Sequence, residues 1–173
     1  VYDREMGMMR LLLTAPLPRP VLLLAKLCSG ALLGIAQGYV FLLVCLLFGI
    51  RIPWTGWLFL LPAMLLGALM LGSLALFLSL AIRQIENFAG MMNFVIFPMF
   101  FLSSALYPLQ TLQQGAAPRI GWVAAANPFT YAVELMRFAA YAGPDLAACA
   151  VVAVAAGAFF ILSAAGYEAR RVR

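Results

Sequence analysis

Four long apolar runs, separated by short polar breaks, set the layout of this 173-residue chain. The first covers residues 22–49, and from Leu27 to Gly49 it carries no charge. The second covers 57–82, also charge-free, with Pro62 in its first turns, where a missing backbone donor matters least. The third covers 88–107 and contains Asn93, Pro98 and the Ser103-Ser104 pair, with Pro98 placed to kink it. The fourth covers 146–167, and Asp145 stands where a helix cap is needed. About 20 apolar residues cross a ~30 Å hydrocarbon core as a helix, so each run has the length of a span.

The segments between the runs have characters of their own. Residues 3–13 (DREMGMMRLLL) predict a short amphipathic helix, too short to span and suited to an interface or a partner. Pro16, Pro18 and Pro20 then break the helix. Lys26 sits near the start of the first run, where its stem can snorkel to the interface. A tight turn with Arg51, Pro53 and Trp54 joins the first two runs, and Trp54 with Trp57 fits an aromatic belt. Residues 83–87 form a polar break. Residues 108–145 are mixed, with Pro108, Pro118, Pro128 and Pro144; within them Tyr131 to Tyr141 has helical character, with Glu134 and Arg137 three apart on one face. That segment reads as a helix lying at the membrane surface or dipping in and out of it.

Composition supports the same class: an all-α, polytopic integral membrane protein. Hydrophobic residues make up 66% and charged residues 10%, against about 25% charged in soluble domains. The net charge is +5, but the basic residues sit between apolar runs, where they set orientation. No basic patch interleaved with aromatics is present, which argues against nucleic acid. Arg4, Arg10, Arg19, Lys26, Arg83, Arg170, Arg171 and Arg173 fall on one side, and Arg51, Arg119 and Arg137 on the other. Eight against three predicts both ends in the cytoplasm of a multi-pass protein of the cell membrane, the bacterial inner or plasma membrane. The chain opens Val1-Tyr2-Asp3 with no initiator Met, and reads as a fragment of a larger protein.

Candidate chemistry is sparse. Histidine is absent, and Cys28, Cys45 and Cys149 lie far apart in apolar runs, which gives no metal spacing. No GxSxG nucleophile elbow, carboxylate pair within a span or GxxxxGK[ST] phosphate loop occurs, so the sequence predicts neither an enzyme nor a resident cofactor. Charge-free spans also argue against proton coupling. If the protein pumps, its energy comes from elsewhere. Gly30, Gly34 and Gly38 form a small-residue stripe on the first span, with Gln37 beside it. Such a stripe packs helices closely, within the chain or against a second subunit or a moving helix.

The order of features resembles type-2 ATP-binding cassette exporter permeases. Three stretches carry the resemblance. The first has Arg4, Glu5, Gly7 and Leu11-Leu12, then Thr14-Ala15-Pro16-Leu17-Pro18-Arg19 and Lys26; the second is Phe101 to Leu109; the third is Asn127-Pro128-Phe129-Thr130-Tyr131 followed by Glu134 and Arg137. Two positions depart from the family pattern: Arg10 stands where an acidic residue is common, and Pro20 is close to the start of the span.

The resemblance implies a permease of six spans, of which the four here are the third to sixth. It implies that residues 3–13, with Arg4, Glu5, Gly7, Leu11 and Leu12, form a coupling helix on a cytoplasmic ATPase, and that 83–87 make a smaller contact. Residues 108–145 would be external re-entrant helices, marked by Asn127, Pro128, Tyr131, Glu134 and Arg137. Two permease copies and two ATPase subunits would make the transporter, with ATP and Mg on the ATPase. The expected function is export of an amphipathic, lipid-linked, polysaccharide or drug-like substrate, among membrane lipids. The competing readings are a non-transporting assembly or anchor subunit, a membrane-embedded lipid-modifying enzyme, and a secondary transporter.

Overall fold

The long apolar runs fold as helices in the computed structural model. It describes residues 19–81, 85–106, 118–141, 143 and 145–169. The expected helix over 3–13, the Pro-rich stretch before Arg19, most of the first half of 108–145 and the basic cluster at 170–173 lie outside the described residues. Six helices are described: α1 (Arg19–Leu47), α2 (Trp54–Ala81), α3 (Ile85–Phe101), α4 (Pro118–Ala126), α5 (Pro128–Tyr141) and α6 (Leu146–Ala169).

Each boundary has a local cause. Pro20 sits in the first turn of α1, where its missing N–H costs no intrahelical bond. At the other end the Gly49 backbone turns left-handed, with φ +84°. Its N–H donates to the Leu46 carbonyl at 3.0 Å and the Ile50 N–H to that of Cys45 at 3.1 Å. That is a Schellman closure, which glycine permits without Cβ strain. At the start of α6 the Asp145 carboxylate accepts from the Ala147 N–H at 2.9 Å, which makes it the N-cap.

Three helices contain stretches long and apolar enough to cross a membrane: Val21–Leu47, Trp54–Leu80 and Leu146–Gly166. The sequence runs 22–49, 57–82 and 146–167 correspond to them. The expected run over 88–107 forms α3 instead, which stops at Phe101 after 17 residues. At 1.5 Å per residue it is about 25 Å long, short of a ~30 Å core. A second correction concerns α2. It begins at Trp54 rather than 57, so Pro62 lies inside the helix and removes the backbone bond to the Leu58 carbonyl.

The chain runs up and down. α1 is antiparallel to α2, with Leu27 against Gly72 at one end and Gly38 against Met64 further along. Tyr39 stacks on Trp57 at 6.0 Å and donates its hydroxyl to the Trp57 carbonyl at 2.7 Å. α6 runs parallel to α2, with Gly166 against Leu80 and the Ser163 hydroxyl near the Ser73 carbonyl at 3.4 Å. That hydroxyl also bonds back to the Phe159 carbonyl at 2.7 Å. Arg19, Ala81, Ile85 and Ala169 therefore share one end, and the 48–53 turn shares the other with the start of α6.

The core sits at this second end, between α2, α5 and α6. Leu60, Ala63, Met70, Ala132, Leu135, Ala139, Ala140, Ala148 and Val152 form it. Most are small, which lets backbones approach until van der Waals packing, the main attraction between helices in lipid, is strong. Gly56 is the extreme case: a Cβ there would collide with the Ala140 carbonyl and the Ile52 side chain. α2 is the hub, touching α6 most extensively, then α1 and α5.

Candidate functional site

The early end of α3 has to be paid for in hydrogen bonds. A helix end leaves up to four carbonyls without partners, and in an apolar setting each is expensive. The Leu102 N–H donates to the Pro98 carbonyl at 2.9 Å and the Ser103 N–H to the Phe100 carbonyl at 3.2 Å. The Ser103 hydroxyl also donates to Phe100, at 2.6 Å, and accepts from the Ala105 N–H at 3.1 Å. The Met99 carbonyl is met from far along the chain, by the Asn127 amide Nδ2 at 2.7 Å. The same amide reaches toward the Leu102 carbonyl at 3.5 Å, a weak contact.

Asn127 has a second task. It lies between α4 and α5, and its Oδ1 accepts from the Phe129 N–H at 3.0 Å, while its carbonyl accepts from the Thr130 N–H at 3.1 Å. It is thus the N-cap of α5, and Pro128 takes the first helical position, where its fixed φ suits the helix. The sequence Asn-Pro reads locally as a helix start; its side-chain amide serves another helix altogether.

Thr130, Ser104 and Arg137 complete the knot. The Thr130 hydroxyl donates to the Ala124 carbonyl at 2.7 Å, closing the end of α4. The Ser104 hydroxyl donates to the Thr130 carbonyl at 3.3 Å. Both residues are 0% exposed. The Arg137 guanidinium donates to the Ser104 carbonyl at 3.0 Å. Phe100 packs edge-on against Phe129 with ring centroids 6.2 Å apart. Among the described residues no buried side-chain oxygen or nitrogen is left without a partner. A fully satisfied buried network holds one geometry, because any displacement orphans a polar group.

Glu134 borders the knot. Burial raises its carboxyl above the ordinary value; the nearby Arg137 charge pulls it back, Asp145 adds to the rise, and a hydrogen bond with Ser104 opposes it. Arg137 therefore acts on Glu134 by charge while its hydrogen bond goes to Ser104, so the two do more than form an isolated surface pair. The hydroxyls of Ser103, Ser104 and Thr130 donate to backbone carbonyls. The arrangement ties α3, α4 and α5 together. Among the described residues no three His, Cys, Asp or Glu group together as metal ligands.

The sequence-predicted residues divide into three sets. Arg4, Glu5, Gly7, Leu11 and Leu12 lie outside the described residues. Asn127, Pro128, Tyr131, Glu134 and Arg137 come together: the first two and Arg137 in the knot, Glu134 at its edge, and half-buried Tyr131 against the core. The glycine stripe splits. Gly38 meets the Met64 side chain, and Gly34 has Ala68 at ordinary contact distance, 3.9 Å. Gly30 has nothing within 4 Å of where a Cβ would stand, and Gln37 is exposed. Within this chain the close approach of α1 thus runs along Leu27, Ala31, Gly34 and Gly38, a stripe that leaves Gly30 and Gln37 outside it.

Reasoning from sequence missed Ser104 and Thr130 as network members and Gly56 as a contact point. Two of them lay within the quoted motifs, where their hydroxyls beside a helix end were the available signal.

The family model described as ABC-2 type transporter matches residues 1–141. No curated protein and no solved structure matches the chain.

Proposed function

The chain belongs to the ABC-2 type transporter family and is a multi-pass transporter permease subunit, and we propose that it is the membrane half of an ATP-driven exporter. The family match over residues 1–141 carries this reading. Residues 3–13 act as a coupling helix docked on a separate cytoplasmic ABC ATPase, which holds ATP and Mg. Both ends of the chain are cytoplasmic. The charge distribution supports this, since Arg19 and Lys26 stand at the end that α1 shares with Ala81 and Ala169, and Arg4, Arg10, Arg83, Arg170, Arg171 and Arg173 flank those helix ends in the sequence.

Two permease copies enclose the path. α4 and α5 form the external re-entrant pair, and the knot at Asn127 fixes them to the end of α3. When the ATPase closes on ATP, the coupling helix shifts the spans as rigid bodies and the path opens outward. Charge-free spans suit an amphipathic, lipid-linked, polysaccharide or drug-like substrate.

Reconstitution with the companion ATPase tests this. Substrate-stimulated ATP hydrolysis and export are expected together. Glu5→Ala and Gly7→Pro should leave the complex able to hydrolyse ATP while export is lost. Unchanged export in both variants, or an assembly that works without a nucleotide-hydrolysing companion, would overturn the reading.

A further inference from the structure

One hydroxyl in the knot serves two acceptors. Thr130, Glu134 and Arg137 stand at positions i, i+4 and i+7 on one face of α5. Ser104, just beyond the end of α3, bonds to both ends of that row. Its hydroxyl donates to the Thr130 carbonyl at 3.3 Å, and its carbonyl accepts from the Arg137 guanidinium at 3.0 Å. It therefore lies over Glu134, and its side chain also hydrogen-bonds the Glu134 carboxyl. Ser104 has a single proton to give. An ionised Glu134 only accepts, so it competes with the Thr130 carbonyl for that proton. A protonated Glu134 reverses the pairing: its O–H donates to Ser104 Oγ, and the Ser104 proton is left entirely to Thr130. The 3.3 Å distance is long for an O–H···O bond, as befits a proton with two claimants. Ser104 is fully buried and Glu134 half-buried, so water is a poor substitute for either bond.

We infer that Glu134 is a proton-binding sensor: a proton taken up from the solution at its own end of the molecule tightens the tie between α3 and α5 and slows the transport cycle. The inference rests on the permease reading and adds a regulation to it. The proton comes and goes on one side, since charge-free spans offer it no relay across the membrane. The sign follows from the surroundings of the carboxyl. Burial favours its neutral form, and Asp145 adds to that; Arg137 and the Ser104 bond favour the anion without outweighing them, so the carboxyl is raised above 4.5. The closed knot therefore gains stability on protonation and loses it as pH rises through the raised value. α5 packs on α2, α3, α4 and α6. α2 carries no titratable residue, and α3 carries Glu86 at its opposite end. α4 brings Arg119 in its first turn; α6 brings Cys149, with Tyr167 and Glu168 at its far end; α5 itself adds Tyr131 and Tyr141. Residues 107–117 contain Tyr107 and nothing charged. Asp145 is occupied as the N-cap of α6, accepting from Ala147. Glu134 is left as the acid that answers pH at this end. In the proposed cycle the knot holds α4 and α5 to the end of α3, so one more bond in it makes departure from this arrangement harder, by about threefold at the average worth of a polar contact between membrane helices.

Proteoliposomes holding the full subunit with its ATPase companion test the sensor. ATP added to the bath is hydrolysed only by complexes whose ATPase faces out, and the Glu134 end of those complexes faces the lumen. The lumen is buffered at values from neutral down to 4.5, the ordinary value of the carboxyl, while the bath stays neutral. Wild-type hydrolysis should fall about threefold as the lumen is acidified. Glu134→Gln, whose amide donates to Ser104 as the protonated acid does, should be slow at every lumen pH, and Glu134→Ala should lose the response. A wild-type rate indifferent to lumen pH, or a response that persists in Glu134→Gln, would overturn the inference. Infrared spectroscopy of the reconstituted subunit tests it without turnover. The C=O stretch of a protonated carboxyl should titrate with a midpoint above 4.5, vanish in Glu134→Gln and shift in frequency in Ser104→Ala. No such band, or one that Ser104→Ala leaves in place, would refute the sensor. A complex that hydrolyses no ATP at any pH counts against the permease reading, and the infrared bands then still decide whether Glu134 binds a proton against Ser104.

Discussion

Replacing Asn127 with Asp separates its two tasks. Asn and Asp are equally good N-caps, so a residue that only capped α5 would tolerate the change. The tether is different. Asn127 Nδ2 donates to the Met99 carbonyl at 2.7 Å, and an Asp side chain has only oxygens to place there. The Met99 carbonyl would lose its donor and face a lone pair. An unmet buried acceptor costs about 1–3 kcal/mol, while polar contacts between membrane helices average about 0.6 and reach about 1.7 kcal/mol. We therefore expect Asn127→Asp to lose about 2 kcal/mol, a roughly thirtyfold fall in the folded-to-unfolded ratio. Asn127→Ser keeps a capping oxygen and should lose about 1–2 kcal/mol from the tether alone. Asn127→Ala loses cap and tether together, about 2–3 kcal/mol. The expected order is wild type, Ser, then Asp and Ala. Reversible unfolding in mixed micelles with rising dodecyl sulfate, followed by the fluorescence of Trp54, Trp57 and Trp122, measures it. An Asp variant within about 0.5 kcal/mol of wild type, the size of an ordinary surface change, would refute the tether.

Other substitutions probe the packing and the charge. Gly56→Ala should be strongly destabilising in the same unfolding assay, since its Cβ meets the Ala140 backbone carbonyl, which cannot step aside. Gly30→Ala, with open space around it, should leave the unfolding of the isolated chain unchanged. Gly49→Ala should cost about 1 kcal/mol, because a Cβ strains a backbone at φ +84°. Glu134→Gln should show its effect through pH. A carboxyl raised above its ordinary value of 4.5 contributes stability below that value, which is lost as pH rises through the raised one. The Gln variant should gain on wild type across that rise and show no relative gain below 4.5; pH-dependent unfolding of the two proteins checks it.

The spans were legible because each is a continuous apolar run and needs no knowledge of its neighbours. α1, α2 and α6 begin and end within a few residues of their expected limits. The end of α3 was not legible in that way. Phe-Phe-Leu-Ser-Ser-Ala-Leu-Tyr stays apolar enough to extend the helix, and what stops it is Ser103 turning back on Phe100 and an amide from Asn127. That amide is distant in sequence, so no local pattern announces it. α4 escaped for a similar reason: nine residues beginning at a proline carry too short a period to read. The regular spacing of Gly30, Gly34 and Gly38 pointed at one face of α1. The tightest approaches instead involve Gly56, Gly72 and Gly166, which stand alone in sequence and gain meaning only from the residue opposite.

The distribution of contacts gives the helices unequal freedom. α2, α5 and α6 share the buried core, and separating them would break many close contacts at once. α3 touches α2 and α5 only sparsely, and its firmest connections are the hydrogen bonds at its far end, to Asn127 and, just beyond, from Arg137 to Ser104. A helix held by area resists displacement along its whole length, whereas one held by few bonds depends on each of them. The other end of α3 begins at Ile85, a few residues after α2 ends at Ala81. The polar residues of the motif thus do for α3 what buried area does for α2, α5 and α6: they fix its position against its neighbours.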